Sequence, residues 1–175
     1  MSYHTWTVDG YGICTNDIET TKERVEKLLQ LAPKFNGTIQ TWFKESEIEN
    51  PELDDYLEYD EDWNSGVAYL LQQVIEEVEN VRLDIAEDFD SYYYLMVCPT
   101  YVWATLTKEE KELDSEEKVN DLFRKYIGIL TDNEVTIEYQ SVENGGWLFS
   151  HHERVILTVN GGNRYERNYW NLYKE

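Results

Sequence analysis

The chain has 175 residues, with 36 Asp plus Glu against 15 Lys plus Arg, for a formal charge of −21. That length suits one domain able to bury a core without staples, and 41% apolar with 14% aromatic residues excludes a disordered acidic tail. The charge argues against direct binding of DNA, RNA or anionic lipid, which runs on Lys and Arg.

No apolar run approaches the roughly 18–20 residues of a membrane span. The opening MSYHTWTVDG has neither the basic nor the apolar region of a secretory signal. Cys14 and Cys98 make no metal-type spacing, and reduced thiols in a cytoplasmic protein are the expectation.

In chain order, Tyr3 to Cys14 is β-like, and Asp9-Gly10 in its middle predicts a two-residue hairpin turn. Thr20 and Glu23 have capping-box spacing before a helix whose Val25, Leu28, Leu29 and Ala32 share one face, with Pro33 as its stop. Residues 38–47 suit a short helix, and Pro51 opens a weak acidic one. Val67, Leu70, Leu71, Val74, Ile75 and Val78 form a clear apolar helical stripe.

From Val81 the character turns to β, with VRLDIA, YYYLMVC and TYVWATL rich in β-branched and aromatic residues. Asp114 and Glu117 signal the cap of a helix with Val119, Leu122, Phe123, Tyr126, Ile127 and Leu130 on one face. EVTIEYQSV (134–142) alternates as a strand, and RVILTV (154–159) is another, followed by a turn at Asn160-Gly161-Gly162-Asn163. The tail RYERNYWNLYKE fits strand and helix periods alike. This order predicts a single α+β domain over 1–175, mainly antiparallel sheet with an N-terminal β-hairpin, covered by about three to four helices.

Catalytic and metal motifs are absent from the sequence. A calcium loop starting at Asp60 fails, because Ser65 stands where Gly is required and Leu71 where a bidentate Glu is required. Asp84, Glu87, Asp88 and Asp90 follow a predicted strand, but only Arg82 is near to support phosphate chemistry. His4, His151 and His152 lack metal-ligand spacing. There is no nucleophile elbow, no Gly-rich phosphate loop, and both cysteines sit in apolar surroundings as small core residues. The expectation is a protein that is not an enzyme and uses no metal or cofactor.

Charge is the distinctive feature. Residues 44–90 carry 17 acids and two bases, Lys44 and Arg82, a net of −15. Ten carboxylates fall within eighteen residues: Glu45, Glu47, Glu49, Glu52, Asp54, Asp55, Glu58, Asp60, Glu61 and Asp62. Along a helix this density would be one charge per about 2.7 Å, against one per about 1.7 Å of duplex DNA. Tyr56, Tyr59 and Trp63 stud the same run, and rings of this kind serve either as interface anchors or as ties to the body of the fold.

On these features the chain resembles the small acidic single-domain proteins that phages and mobile elements encode against host defence, notably DNA-mimicking anti-CRISPR proteins. It is similar also to acidic immunity proteins that plug nuclease toxins. The resemblance implies an inhibitor that occupies the nucleic-acid groove of a basic partner, such as a CRISPR effector nuclease, without binding nucleic acid or membrane itself. Its contact set would be the ten carboxylates with Tyr56, Tyr59 and Trp63, extended by Asp84, Glu87, Asp88 and Asp90. Two alternatives stand beside it: an accessory domain whose acidity serves solubility, and a cation or small-ligand site at residues 84–90.

Overall fold

The computed structural model describes residues 6–58, 66–97 and 106–144, with two short pieces at 158–159 and 162–163. Four strands form an antiparallel sheet: β1 (Trp6–Cys14), β2 (Leu83–Glu87), β3 (Tyr93–Val97) and β4 (Ile137–Asn144), in the order β2-β3-β1-β4. The helices are α1 (Lys22–Leu29), α2 (Pro33–Glu45), α3 (Leu53–Glu58), α4 (Val67–Glu79), α5 (Lys108–Glu112) and α6 (Glu116–Leu130). Strands β5 (Thr158–Val159) and β6 (Gly162–Asn163) pair with each other. The expected α+β architecture is present.

The N-terminal hairpin is not. Asp9 and Gly10 lie inside one continuous strand, opposite Ser141 and Gln140 of β4. Glycine serves close packing there. A Cβ on Gly10 would stand 3.0 Å from Met96 Cβ, and one on Gly12 would stand 2.0 Å from the Leu95 carbonyl oxygen. The Asp-Gly pair therefore reads as a turn in sequence and as a close approach in the sheet.

The described residues also hold six helices, more than the sequence predicts. Pro33 does not merely end α1 but opens α2 from its first turn, where its missing N–H costs nothing. The 38–47 helix is thus the second half of a 13-residue one. The acidic helix starts two residues after Pro51. α5 is an additional short helix, with a complete capping box between Thr107 and Glu110.

Two caps shift by one residue. Thr21, not Thr20, accepts the Arg24 N–H, while the Thr20 hydroxyl donates to the Leu130 carbonyl. Ser115, not Asp114, caps α6, and Asp114 pairs with Lys118 Nζ at 2.5 Å. The predicted strand TYVWATL, apart from Leu106, and the C-terminal segment from 164 lie outside the described residues, as do Cys98 and the three histidines.

The helices pack on one face of the sheet. Val25, Leu28, Ile39, Leu71, Val74, Ile75, Phe123 and Tyr126 meet Tyr11, Ile13, Leu83, Leu95 and Val97 in one core. On the other face Ala86, Met96 and Val142 form a small second cluster beside Tyr94. Leu28, Leu71, Val74, Ile75, Leu95 and Phe123 are all fully buried, each worth about 1.5–3 kcal/mol of transfer free energy.

Acidic side chains fasten several elements to this core. Glu77 of α4 reaches the start of α2, where its two oxygens accept the backbone N–H groups of Lys34 and Phe35, both at 2.9 Å. Ala32 at the N-cap position offers no side chain for that task, so Glu77 supplies the cap from a different helix. Glu77→Ala is expected to lower the unfolding free energy by about 1–2 kcal/mol, the usual cost of a lost cap. Glu77→Gln should lose less, since its amide oxygen still accepts one N–H. Urea unfolding of the three proteins measures both values.

Candidate acidic interaction surface

The acid run begins where α2 ends. Glu45 is the last residue of that helix and is exposed, as are Glu47 and Glu49 in the connection that follows. Asn50 turns the chain with φ 56. Exposed Glu52 stands 3.7 Å from Lys22 Nζ, a surface pair of small energetic weight. Asp55 is half-buried and accepts the Glu52 N–H at 2.7 Å, whereas Asp54 points to solvent. Among the described residues, Glu45, Glu47, Glu49 and Asp54 have no ion-pair partner. Glu58 closes α3, and Tyr59, Asp60, Glu61, Asp62 and Trp63 lie outside the described residues.

Tyr56 is half-buried and belongs to an aromatic pile. Its ring lies 5.5 Å from Trp42 and 6.4 Å from Phe35, both edge-on, and its hydroxyl is 3.4 Å from that of Tyr69. Phe35 in turn meets Tyr69 at 5.7 Å. This pile ties α3 to α2 and α4, so the acidic helix is carried on a packed base.

The second acid group surrounds the β2–β3 turn. Asp84 and Glu87 are half-buried on β2, and Asp90 is exposed. Asp88 is committed to the turn itself. Its Oδ1 accepts the N–H groups of Asp90 and Tyr92, both at 2.9 Å, and its Oδ2 accepts the Tyr94 hydroxyl at 3.1 Å. Burial and the Asp88 carboxylate push the Tyr94 hydroxyl up to about 12. Burial and Glu87 similarly raise Tyr93. Among the described residues, no three His, Cys, Asp or Glu side chains gather as a metal ion would require.

Helix α4 lies between the two groups in the chain. After α4 the chain turns at Asn80, which adopts the left-handed conformation, and Leu83 then meets Gln72 and Glu76 of the same helix. β2 therefore runs back along α4, towards its N-terminal end. The first turn of α2 meets α4 at two places, Glu77 through the Lys34 and Phe35 N–H groups and Tyr69 through the Phe35 ring.

Other acids of the 44–90 stretch are structural. Glu76 accepts the Leu83 N–H at 2.8 Å, and burial raises its carboxyl above the ordinary range. Glu79 accepts from Lys125 Nζ and the Tyr126 hydroxyl; burial opposes its charge, but these two donors win and hold it low. Arg82 is bound by Glu110 through two 2.6 Å contacts. Sequence spacing did not mark Glu76, Glu77 or Glu79, whose partners are remote in the chain. Glu110 was discoverable, because Thr107 and Glu110 have the same capping-box spacing used elsewhere.

Among the described residues the basic groups form no counterpart surface. Arg24, Lys27 and Asp132 line a shallow open cleft with Gly128 and Ile129, but Arg24 is paired with Asp132 and Lys27 with Glu23. Cys14 is half-buried rather than a core residue, and burial raises its thiol, which weakens it as a nucleophile. Among the described residues no helix is long and apolar enough to cross a membrane. Neither protein-family models, nor curated proteins, nor solved structures give a match to this chain.

Proposed function

We propose that this protein is a non-enzymatic inhibitor that acts in the cytoplasm, as DNA-mimicking anti-CRISPR proteins do, by occupying the nucleic-acid groove of a basic protein with its acidic surface. The observation that carries the reading is the net −15 of residues 44–90, with Glu45, Glu47, Glu49 and Asp54 turned outward and no basic residue between Lys44 and Arg82. A groove lined with Lys and Arg recognises such an array as it recognises phosphates, through its summed field. The packed aromatic base under α3 supports this use, since it presents Asp54 from a fixed support. The reading involves no cofactor.

The test replaces the outward acids while leaving the structural ones. A Glu45→Gln, Glu47→Gln, Glu49→Gln, Asp54→Asn variant should fold as wild type. Against purified CRISPR effector nucleases, with and without guide RNA, its association rate should fall at least about tenfold at low salt and vary less with salt. A folded variant that associates as fast as wild type overturns the proposal for this segment.

A further inference from the structure

Five large apolar side chains are exposed among the described residues, and two of them, Phe89 at 62% and Tyr92 at 45%, share the β2–β3 turn. The turn that carries them is braced from several sides. Asp88 N–H donates to the Tyr92 carbonyl, Ser91 N–H donates to the Asp88 carbonyl, and Ser91 has φ 60. Asn16, just beyond β1, accepts the Tyr93 N–H at 2.7 Å and donates to the Ser91 carbonyl at 3.4 Å. With the three bonds of Asp88, these fix the tip to both β1 and β3.

We infer that Phe89 and Tyr92 form an aromatic anchor that inserts into an apolar pocket with a cationic rim on a protein partner. The occupant follows from charge. Glu87 and Asp90 flank the rings, and the nearest base in sequence, Arg82, is bound to buried Glu110. Nucleic acid and anionic lipid are repelled by that surround, and a second copy of a chain at −21 meets the same repulsion. A pocket rimmed by Lys or Arg is attracted by it. Exposed rings on a preformed turn suit such a contact, because little ordering is needed on binding and aromatic side chains dominate the energy of interfaces.

The inference rests on the proposed function in needing a basic protein partner, but it assigns a separate task. The outward carboxylates set how fast the complex forms, and the two rings set how long it lasts. The probes are the purified CRISPR effector nucleases above, bound to wild type, to the four-acid variant and to Phe89→Ser/Tyr92→Ser. The double variant should keep the wild-type melting temperature and association rate and dissociate at least about tenfold faster. An unchanged dissociation rate, beside slower association of the four-acid variant, overturns the anchor alone. No binding of wild type by any of the nucleases overturns both readings. Wild-type dimers in sedimentation that become monomers in the double variant also overturn it, because the rings would then join two copies of this chain.

Discussion

Gly12→Ala is expected to leave little folded protein. The added Cβ would stand 2.0 Å from the Leu95 carbonyl oxygen, 2.8 Å from Met96 Cα and 2.9 Å from the Leu95 carbonyl carbon. These are backbone atoms of the neighbouring strand, so no side-chain rotation relieves the clash. β1 and β3 must separate where Gly12 faces Met96 and Ile13 faces Leu95. That join lies inside the sheet, between β1–β4 and β2–β3, and opening it uncovers residues that are fully buried. A loss above about 4 kcal/mol is expected, against a total stability of about 5–15 kcal/mol for a domain.

Gly10→Ala is the graded comparison. There the nearest atom is Met96 Cβ at 3.0 Å, with the flexible sulfur at 3.3 Å, and a loss of about 1–3 kcal/mol is expected. Gly128→Ala is the opposite control. It is an exposed position inside α6 with nothing within 4 Å of the new Cβ, so a gain of about 0.5–1 kcal/mol is expected. Denaturant unfolding of the three variants checks the ranking. A Gly12→Ala protein as stable as Gly10→Ala would refute the close approach of β1 and β3.

The second large effect concerns Glu110. This carboxylate is buried and accepts four hydrogen bonds: Arg82 Nε and Nη2 at 2.6 Å, the Arg82 N–H at 3.1 Å and the Thr107 N–H at 2.9 Å. It joins the start of β2 to the cap of α5. Removing one partner of a buried pair typically costs about 3–5 kcal/mol. Glu110→Ala should fall near the lower end, because the Arg82 side chain is 43% exposed and can turn to water. Glu110→Gln should lose less, since it keeps an acceptor for one or two of the donors.

The same group sets a pH dependence. Burial opposes the Glu110 charge, but Arg82 and the two backbone donors outweigh it and hold its carboxyl below the ordinary range. A carboxyl lowered by folding stabilises fully above its unfolded pKa, and that stability is lost as pH falls through the folded pKa. Glu76 has the opposite sign. Its carboxyl is raised by burial, so acidification through that raised value favours the folded state. Glu110→Gln should therefore show a shallower acid-side loss of stability than wild type, and Glu76→Gln a steeper one. Thermal melts taken across the acid range measure both slopes.

The parts of this fold that could be read from sequence were those governed by local periodicity. α4 and α6 follow their apolar stripes, and β3 and β4 follow their aromatic and alternating residues. What sequence could not show depended on partners far away in the chain. Asp9-Gly10 carries the local signature of a turn, but its true determinant is Met96, more than 80 residues on. Pro33 reads as a stop because nothing local caps the helix it opens; the cap is Glu77.

The candidate site divides in the same way. The density of carboxylates is plain in the sequence, but their division into outward and structural acids is not. Asp88 and Glu87 belong to the same acidic cluster in sequence, yet Asp88 holds the turn while Phe89 beside it is displayed. An apolar residue within an acidic loop gives no sign of whether it faces inward, so the anchor became visible only with the fold.

The place of β1 in the sheet has a consequence for synthesis. This strand pairs on one side with β3 and on the other with β4, whose last residue is Asn144. From Cys14 to Asn144 the ribosome must add 130 residues, which at about 5–20 residues per second takes about 7–26 s. During that interval β1 has a sheet edge with no permanent neighbour, and such an edge recruits other strands. An edge open for that long leaves the chain more prone to mispairing during synthesis than after it, when both sides of β1 are taken.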